Sequence, residues 1–295
     1  MTKENDTQSM WPSGAIDCHA HVFEKALQWT VPRRYEPDYN ATLDHYIEHL
    51  DTNHIEQGVL VQPSFLGSDN SYLVGALGRE PRRLKGVAVL TPDATDIELH
   101  RLHAHGVTGV RLNLVDAPLP NLRSASWAAL WPRLSNLGWH VELHGSARHL
   151  ASLIEPLLEA GLPVVVDHFG RPDPALGVED PGFESLLGFG TSRQVWVKVS
   201  AAYRCAQPAS RFARVGIHKL LERFGSDRLM WGSDWPHTQF EQTTTYDDAL
   251  AIVEQAALDQ ATLDALVRST AMAFYGFDSP SVKAADDHEL ARGFT

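Results

Sequence analysis

Eight short apolar, β-branched runs, each followed by a stretch with helical spacing, set the architecture this chain can adopt. The runs cover 15–23, 58–63, 86–90, 109–114, 139–144, 163–168, 195–200 and 228–234. Helical spacing is read over 42–54, 94–105, 126–137, 147–160 and 212–224, and a last helical stretch over 247–274. Gly58, Gly106, Gly138 and Gly161 stand just before the next strand, where a left-handed C-cap is wanted. Eight such units over about 260 residues predict an α/β fold, a single-domain (β/α)8 TIM barrel. An open doubly wound sheet would place a glycine-rich phosphate turn after its first strand, and this chain has His-Ala-His-Val-Phe-Glu there. No GxGxxG, P-loop or GxSxG nucleophile elbow is present. Residues 1–13 read as a flexible lead-in, 14–278 as the barrel and 279–295 as a polar tail.

Charge and cysteine usage narrow the partners. The formal net charge is -12 and the basic residues are scattered, which argues against a nucleic-acid or anionic-membrane surface. Cys18 and Cys205 are far apart and form no CxxC, so a disulfide framework is not expected. The first ten residues lack an apolar signal core, and no run approaches the roughly 18 apolar residues of a membrane span. The expectation is a cytoplasmic protein acting on a small molecule, as a monomer or small homo-oligomer.

In such a barrel the chemistry sits at the C-terminal ends of the strands. The first strand ends in Asp17-Cys18-His19-Ala20-His21. Alternation puts His19 and His21 on one face and Cys18 and Ala20 on the other, so Cys18 reads as a small buried hydrophobe against the helices. Two converging imidazoles suit a metal ion, a polarised carbonyl or a shared proton, and a lone pair could equally be structural. The other strand ends complete a ring: Ser64, Arg111 with Asn113, His144, His168, Ser200 followed by Arg204, and Asp234 with His237. The same alternation turns Arg111 and Asn113 inward on the fourth strand, and Trp196, Lys198 and Ser200 inward on the seventh. An arginine inside a barrel needs an anion. Arg111 therefore either pairs with an internal carboxylate such as Asp17 or Glu142, or holds a substrate carboxylate.

Three motifs carry a resemblance: Asp-Cys-His-Ala-His at 17–21, Val-Asp-His-Phe-Gly-Arg-Pro-Asp at 166–173 and Trp-Gly-Ser-Asp-Trp-Pro-His at 231–237. With Val-Gln-Pro-Ser (61–64), Gly-Ser-Asp-Asn (67–70) and Gly-Val-Arg-Leu-Asn (109–113), the chain from about residue 14 to 276 resembles the amidohydrolase superfamily. Within it, the likeness is to the branch of pyrone and sugar-acid lactonases. The resemblance implies a hydrolase that opens a small carboxylate-bearing lactone. Asp234 would activate the water, and His19, His21 and His168 would polarise the carbonyl. Ser64, Arg111, Arg204 and His237 would bind and orient the substrate, with Asn113 and His144 completing that set.

The chain departs from the branch in two places. His144 stands where the branch has a tyrosine, and 115–122 lacks the branch's further arginine, so the number of substrate carboxylates stays open. Arg171 reads as a loop-stabilising residue in preference to a substrate contact. The branch implies hydrolysis without a metal. His19, His21 and Asp234 are the ligands if Zn²⁺ is bound, and no lysine ends the fourth strand to form a bridging carbamate. Two alternative activities use the same groups: a metal-dependent decarboxylase of a hydroxylated aromatic acid, and a sugar-acid lactone isomerase.

Overall fold

The computed structural model describes residues 11–30, 33 and 35–278, so the expected tail and most of the expected lead-in lie outside the described residues. Strands and helices alternate as β1 (Ala15–Ala20), α1 (Leu43–Thr52), β2 (Ile55–Val61), α2 (Ser71–Arg79), β3 (Leu84–Ala88) and α3 (Asp96–Ala104). They continue as β4 (Val107–Asn113), α4 (Ala125–Asn136), β5 (His140–His144), α5 (Ala147–Glu159), β6 (Val164–Val166) and α6 (Pro181–Leu187). The last units are β7 (Val195–Val199), α7 (Ala209–Phe224), β8 (Leu229–Trp231), α8 (Tyr246–Glu254), α9 (Gln260–Asp264) and α10 (Thr270–Tyr275). The strands pair in chain order, all parallel. A parallel bridge between Ala20 and Trp235 joins the end of the series to its start. The fold is a (β/α)8 barrel.

Alternation along the strands builds two layers. Val110, Leu112, Val141, Leu143, Val164, Val166, Val195, Val197 and Val199 face the helices and join the large outer core. Ile16, Val59, Val61, Val87, Val165 and Met230 fill the barrel interior, and Ala271, Tyr275 and Phe277 pack against them from its lower end. Cys18 belongs to this inner cluster and not to the helix layer. The cause is local: the β1 ladder slips register between Asp17 and Ala20, so strict alternation fails there. Asp17 instead turns towards α8, accepting from Tyr246 Oη at 3.1 Å.

Several boundaries differ from expectation for conformational reasons. β6 and β8 stop early because His168 and Asp234 adopt left-handed backbone (φ 51° and 61°), which no strand continues. The stretch 247–274 is not one helix. Ala257 (φ 53°) breaks it, Asp259 caps α9 by accepting from Thr262 N, and a π-helical Ala265–Ser269 links α9 to α10. Gly106, Gly138 and Gly161 do take positive φ, but Gly58 lies inside β2, and His54 supplies the left-handed residue after α1. Among the described residues, no helix is long and apolar enough to cross a membrane.

The seam between β8 and β1 positions the site. Asp234 N donates to His19 O at 2.8 Å and His21 N donates to Trp235 O at 2.8 Å. Asp17 accepts from Ser233 N (2.8 Å) and Ser233 Oγ (2.6 Å), fastening the two strand ends. Gly232 permits this approach, since a Cβ there would stand 2.7 Å from His19 Cβ and 2.9 Å from His19 N. A Gly232→Ala variant is therefore expected to lose about 1–3 kcal/mol by overpacking, read as a Tm several degrees lower in a thermal melt. An unchanged Tm would mean that the seam is looser than described.

Candidate active site

A cavity of about 360 Å³ opens at the C-terminal ends of the strands, a size suited to a small organic molecule. Its lining includes His21, Ser64, Arg111, Asn113, His144, His168, Arg171, Arg204 and Asp234. His19 lies just beneath, fully buried. His237 is not among the lining residues. It is buried behind Tyr203, with ring centroids 6.0 Å apart, and neither of its nitrogens has a hydrogen-bond partner among the described residues.

Asp234 is held by one oxygen. Its Oδ2 accepts from Tyr203 Oη at 2.5 Å and from Arg204 Nε at 2.9 Å. Its Oδ1 faces the Nε2 atoms of His19, His21 and His168 at 3.7, 3.7 and 3.6 Å. Burial works to raise its pKa, but Arg204 and the histidines outweigh it and hold the carboxyl well below the usual range. Burial and the adjacent carboxylate keep Tyr203 protonated by pushing its pKa far up, so it remains a donor.

Hydrogen bonds fix the protons on the paired histidines. His21 Nδ1 lies 2.7 Å from the Val61 carbonyl and must donate to it, which leaves Nε2 as an acceptor. Lys198 Nζ lies 3.1 Å from His19 Nδ1 and takes the donor role, so the His19 proton sits on Nε2. Asp167 Oδ1 lies 3.3 Å from the same Nδ1, farther than Lys198 Nζ. His19 Nε2–H then donates to His21 Nε2 at 3.3 Å. The result is one directed chain: Lys198, His19, His21, Val61. His168 is held separately, its Nδ1 2.8 Å from Ser200 Oγ.

Below the cavity floor lies a buried ionic group that sequence reasoning reached only in part. Arg111 donates to Asp167 Oδ2 through Nε (3.0 Å) and Nη2 (2.8 Å), and its Nε is 3.5 Å from Glu142. An internal carboxylate does meet Arg111, and it is mainly Asp167; Asp17 faces elsewhere. Lys198 donates to Glu142 as well as to His19. Burial and the charge of Asp167 push the Glu142 pKa upwards. Asp167 is itself held low, Arg111, His19 and Lys198 overcoming its burial. Asp167, Lys198 and Tyr203 were not assigned functional roles from sequence. The signals were present: Lys198 points inward by alternation, Asp167 adjoins His168, and Tyr203 adjoins Arg204.

Strain concentrates at the same strand ends. His168, Phe169, Gly170 and Arg171 all have left-handed backbone, with φ of 51°, 55°, 77° and 50°. Such a turn costs about 1–2 kcal/mol for each non-glycine residue and is sustained here by the surrounding packing. The turn aims His168 at Asp234 and brings Arg171 to the cavity wall.

His19 Nε2, His21 Nε2 and Asp234 Oδ1 are 3.3–3.7 Å apart and can be read as three ligands of one metal ion. Four ligands about 2.0–2.1 Å from zinc stand roughly 3.3 Å apart in a tetrahedron, so the spacing suits zinc. The hydrogen bonds suit it less, because the proton on His19 Nε2 would have to leave.

The buried imidazoles give the fold an acid sensitivity with a definite sign. Burial, with nearby cations such as Arg111, lowers His21 to about 4; burial lowers His237 to about 4 and His140 and His168 to about 3. His19 and His144 are also lowered. In the unfolded chain histidines titrate near 6.5, so between about pH 4 and 6.5 that chain binds more protons and stability falls as the pH is lowered. Glu142 and Asp17, both raised, act in the opposite direction, two groups against six. The Tm is expected to fall progressively as the pH is lowered below 6.5, and to fall also as the pH rises towards 8, where Glu142 must ionise. A Tm constant down to pH 4.5 would contradict the neutral buried imidazoles.

Known proteins share this arrangement of fold and sequence. A 2-pyrone-4,6-dicarboxylate hydrolase of Comamonas testosteroni is 32% identical over 256 residues, covering 82% of each chain. A 4-sulfomuconolactone hydrolase of Rhizobium radiobacter is 33% identical over 239 residues, 78% of each chain. A solved structure from Pseudomonas putida, assigned as a 2-pyrone-4,6-dicarboxylic acid hydrolase, superposes with a TM-score of 0.86. It is 43% identical, over 91% of this chain and 99% of that one. A more distant amidohydrolase of Burkholderia multivorans shares the fold (TM-score 0.73, 21% identity, 90% and 99% covered) and was solved with zinc bound. The family model described as Amidohydrolase matches residues 16–277, and this chain belongs to the amidohydrolase family.

Proposed function

We propose that this amidohydrolase opens the ring of a small lactone bearing an anionic substituent, by attack of water with Asp234 as general base. The observation that carries the reading is the division of labour on Asp234. Oδ2 is fixed by Tyr203 and Arg204, and Oδ1 faces three imidazoles across a gap of 3.6–3.7 Å. That gap is too long for hydrogen bonds between the groups themselves and leaves their unused sites open to one small oxygen atom that touches both from the cavity side. The similarity to hydrolases named for pyrone and sulfomuconolactone substrates supports the same reaction class.

In this reading Oδ1 removes a proton from water as its oxygen attacks the acyl carbon. Negative charge develops on the carbonyl oxygen, where the donors of the histidine cluster, His19 Nε2–H among them, stabilise it. The acyl–oxygen bond of the ring then breaks, and the proton held by Asp234 passes to the departing oxygen. A carboxylate with a depressed pKa is a weak base, so the polarised carbonyl carries much of the burden. Positioned donors of this kind contribute several kcal/mol, about 3–4 in the case of a single oxyanion donor. Ser64 and Asn113, on the wall at the ends of β2 and β4, are proposed to orient the substrate.

Zinc, if bound, would be held by His19, His21 and Asp234 and would add Lewis-acid polarisation of the carbonyl. We propose that the reaction does not require it. Two features support this: Arg204 already neutralises Asp234, and Lys198 directs the His19 proton onto Nε2.

The test is proton release from a panel of pyrone, muconolactone and sugar-acid lactones. Activity on at least one anionic lactone is expected. Asp234→Asn should then lower kcat/KM by about 10²–10⁴-fold, the usual contribution of a general base. Silence of the wild-type protein across the panel, or an Asp234→Asn variant within tenfold of wild type, would contradict the reading.

A further inference from the structure

Among the described residues three guanidinium groups line the cavity, and two of them are already engaged. Arg111 is tied to Asp167, and Arg204 gives Nε to Asp234 and Nη2 to the Thr238 carbonyl. Arg171 differs. Among the described residues no carboxylate lies within 4.0 Å of it, and its one close polar neighbour is His144 Nε2, 3.3 Å from Nη1.

That contact is not an ordinary hydrogen bond. On the other side of the ring, Arg111 Nη2 lies 2.8 Å from His144 Nδ1. A guanidinium can only donate, so Nδ1 must offer its lone pair. The ring proton therefore sits on Nε2, and Nε2–H faces the N–H of Arg171. Two donors point at the same space, and one belongs to a cation on a part-buried wall whose nearest influencing carboxylates, Asp116 and Asp234, stand beyond 4.0 Å. Such an arrangement is unfavourable until an acceptor comes between them. Burial and Arg111 also hold the His144 pKa well below its ordinary value, consistent with a neutral ring.

The backbone indicates that Arg171 is placed there by construction. Arg171 N donates to His168 O at 2.8 Å, closing a three-residue turn of left-handed sense. Residues three apart in such a turn project to the same side. The strained turn that aims His168 at Asp234 thus carries Arg171 to the cavity as well, where its guanidinium meets no carboxylate or carbonyl partner among the described residues.

We propose that Arg171 and His144 Nε2–H together form the seat for the anionic substituent of the substrate, a carboxylate or sulfonate on the lactone ring. Arg111 and Arg204 instead serve Asp167 and Asp234. The inference rests on the lactonase reading and assigns its substrate selectivity to two residues, on β5 and in the turn after β6. One anionic oxygen accepts from His144, and the guanidinium pairs with the same group.

The test compares a pyrone carboxylate with its carboxamide, which share ring and size, in wild type, Arg171→Asn and Arg171→Lys. Asparagine suits the left-handed backbone and removes the cation without opposing the turn. The readout is the ratio of kcat/KM for carboxylate over carboxamide. Arg171→Asn is expected to lower that ratio about 100-fold, mainly through KM for the carboxylate, and Arg171→Lys to recover about tenfold of it. Binding of isophthalate, a dianion that cannot be hydrolysed, is measured by calorimetry in parallel and should weaken by a similar factor. An unchanged ratio in Arg171→Asn, or isophthalate bound equally by wild type and variant, overturns the assignment. If wild type hydrolyses neither pyrone, the lactonase reading fails there, while the isophthalate comparison still decides whether Arg171 is the anion seat.

Discussion

Tyr203 and Arg204 both donate to Oδ2 of Asp234, at 2.5 and 2.9 Å, and leave Oδ1 to the three histidines. The rest of the site follows from this constraint. In the proposed reaction it sets which oxygen can meet the water, and it keeps the carboxyl ionised despite complete burial. It also explains the unusual backbone at residue 234, since left-handed φ at the end of β8 turns the side chain back over the barrel mouth. The β1–β8 seam, with Asp17 bound to Ser233 and Gly232 against His19, holds that turn in register with His19 and His21.

A second layer makes the first possible. Arg111, Lys198, Asp167 and Glu142 are buried charged groups from four adjacent strands or strand ends, each placed inward by its position on the sheet. Taking such groups out of water is costly, and removing one partner of a buried pair commonly destabilises by about 3–5 kcal/mol. Here the two cations pair with the two carboxylates, leaving Glu142 Oε1 and Asp167 Oδ1 without a hydrogen bond among the described residues, and Lys198 has hydrogen left to orient His19. Ionic pairing beneath the cavity therefore fixes a tautomer within it. That link from core electrostatics to the cavity supports the proposed catalytic reading of this histidine cluster over a set of structural imidazoles.

Much of this was legible in the chain because barrels tie function to strand ends. Period-two alternation placed Arg111, Lys198 and Ser200 inward, and the histidine and aspartate motifs located His19, His21, His168 and Asp234. What could not be read came from departures from that periodicity. The register slip in β1 moved Cys18 into the barrel interior, and Ala257 broke a stretch whose pattern suggested one helix. His237 has a motif position that suggests a substrate contact, yet its own left-handed backbone (φ 62°) accompanies a place behind Tyr203. The choice of Asp167 as the main partner of Arg111 needed three dimensions, because β4 and the end of β6 are separated in sequence and flank β5.

The most direct test of the account is the pH dependence of kcat/KM on an anionic lactone between pH 5 and 8, for chelator-stripped and zinc-supplemented protein. A base of depressed pKa among neutral imidazoles, working without a metal, predicts a flat profile that is the same in both preparations. A metal-bound water would ionise near pH 7. A limb near neutrality that appears only with zinc would contradict the account and assign activation of the water to the metal.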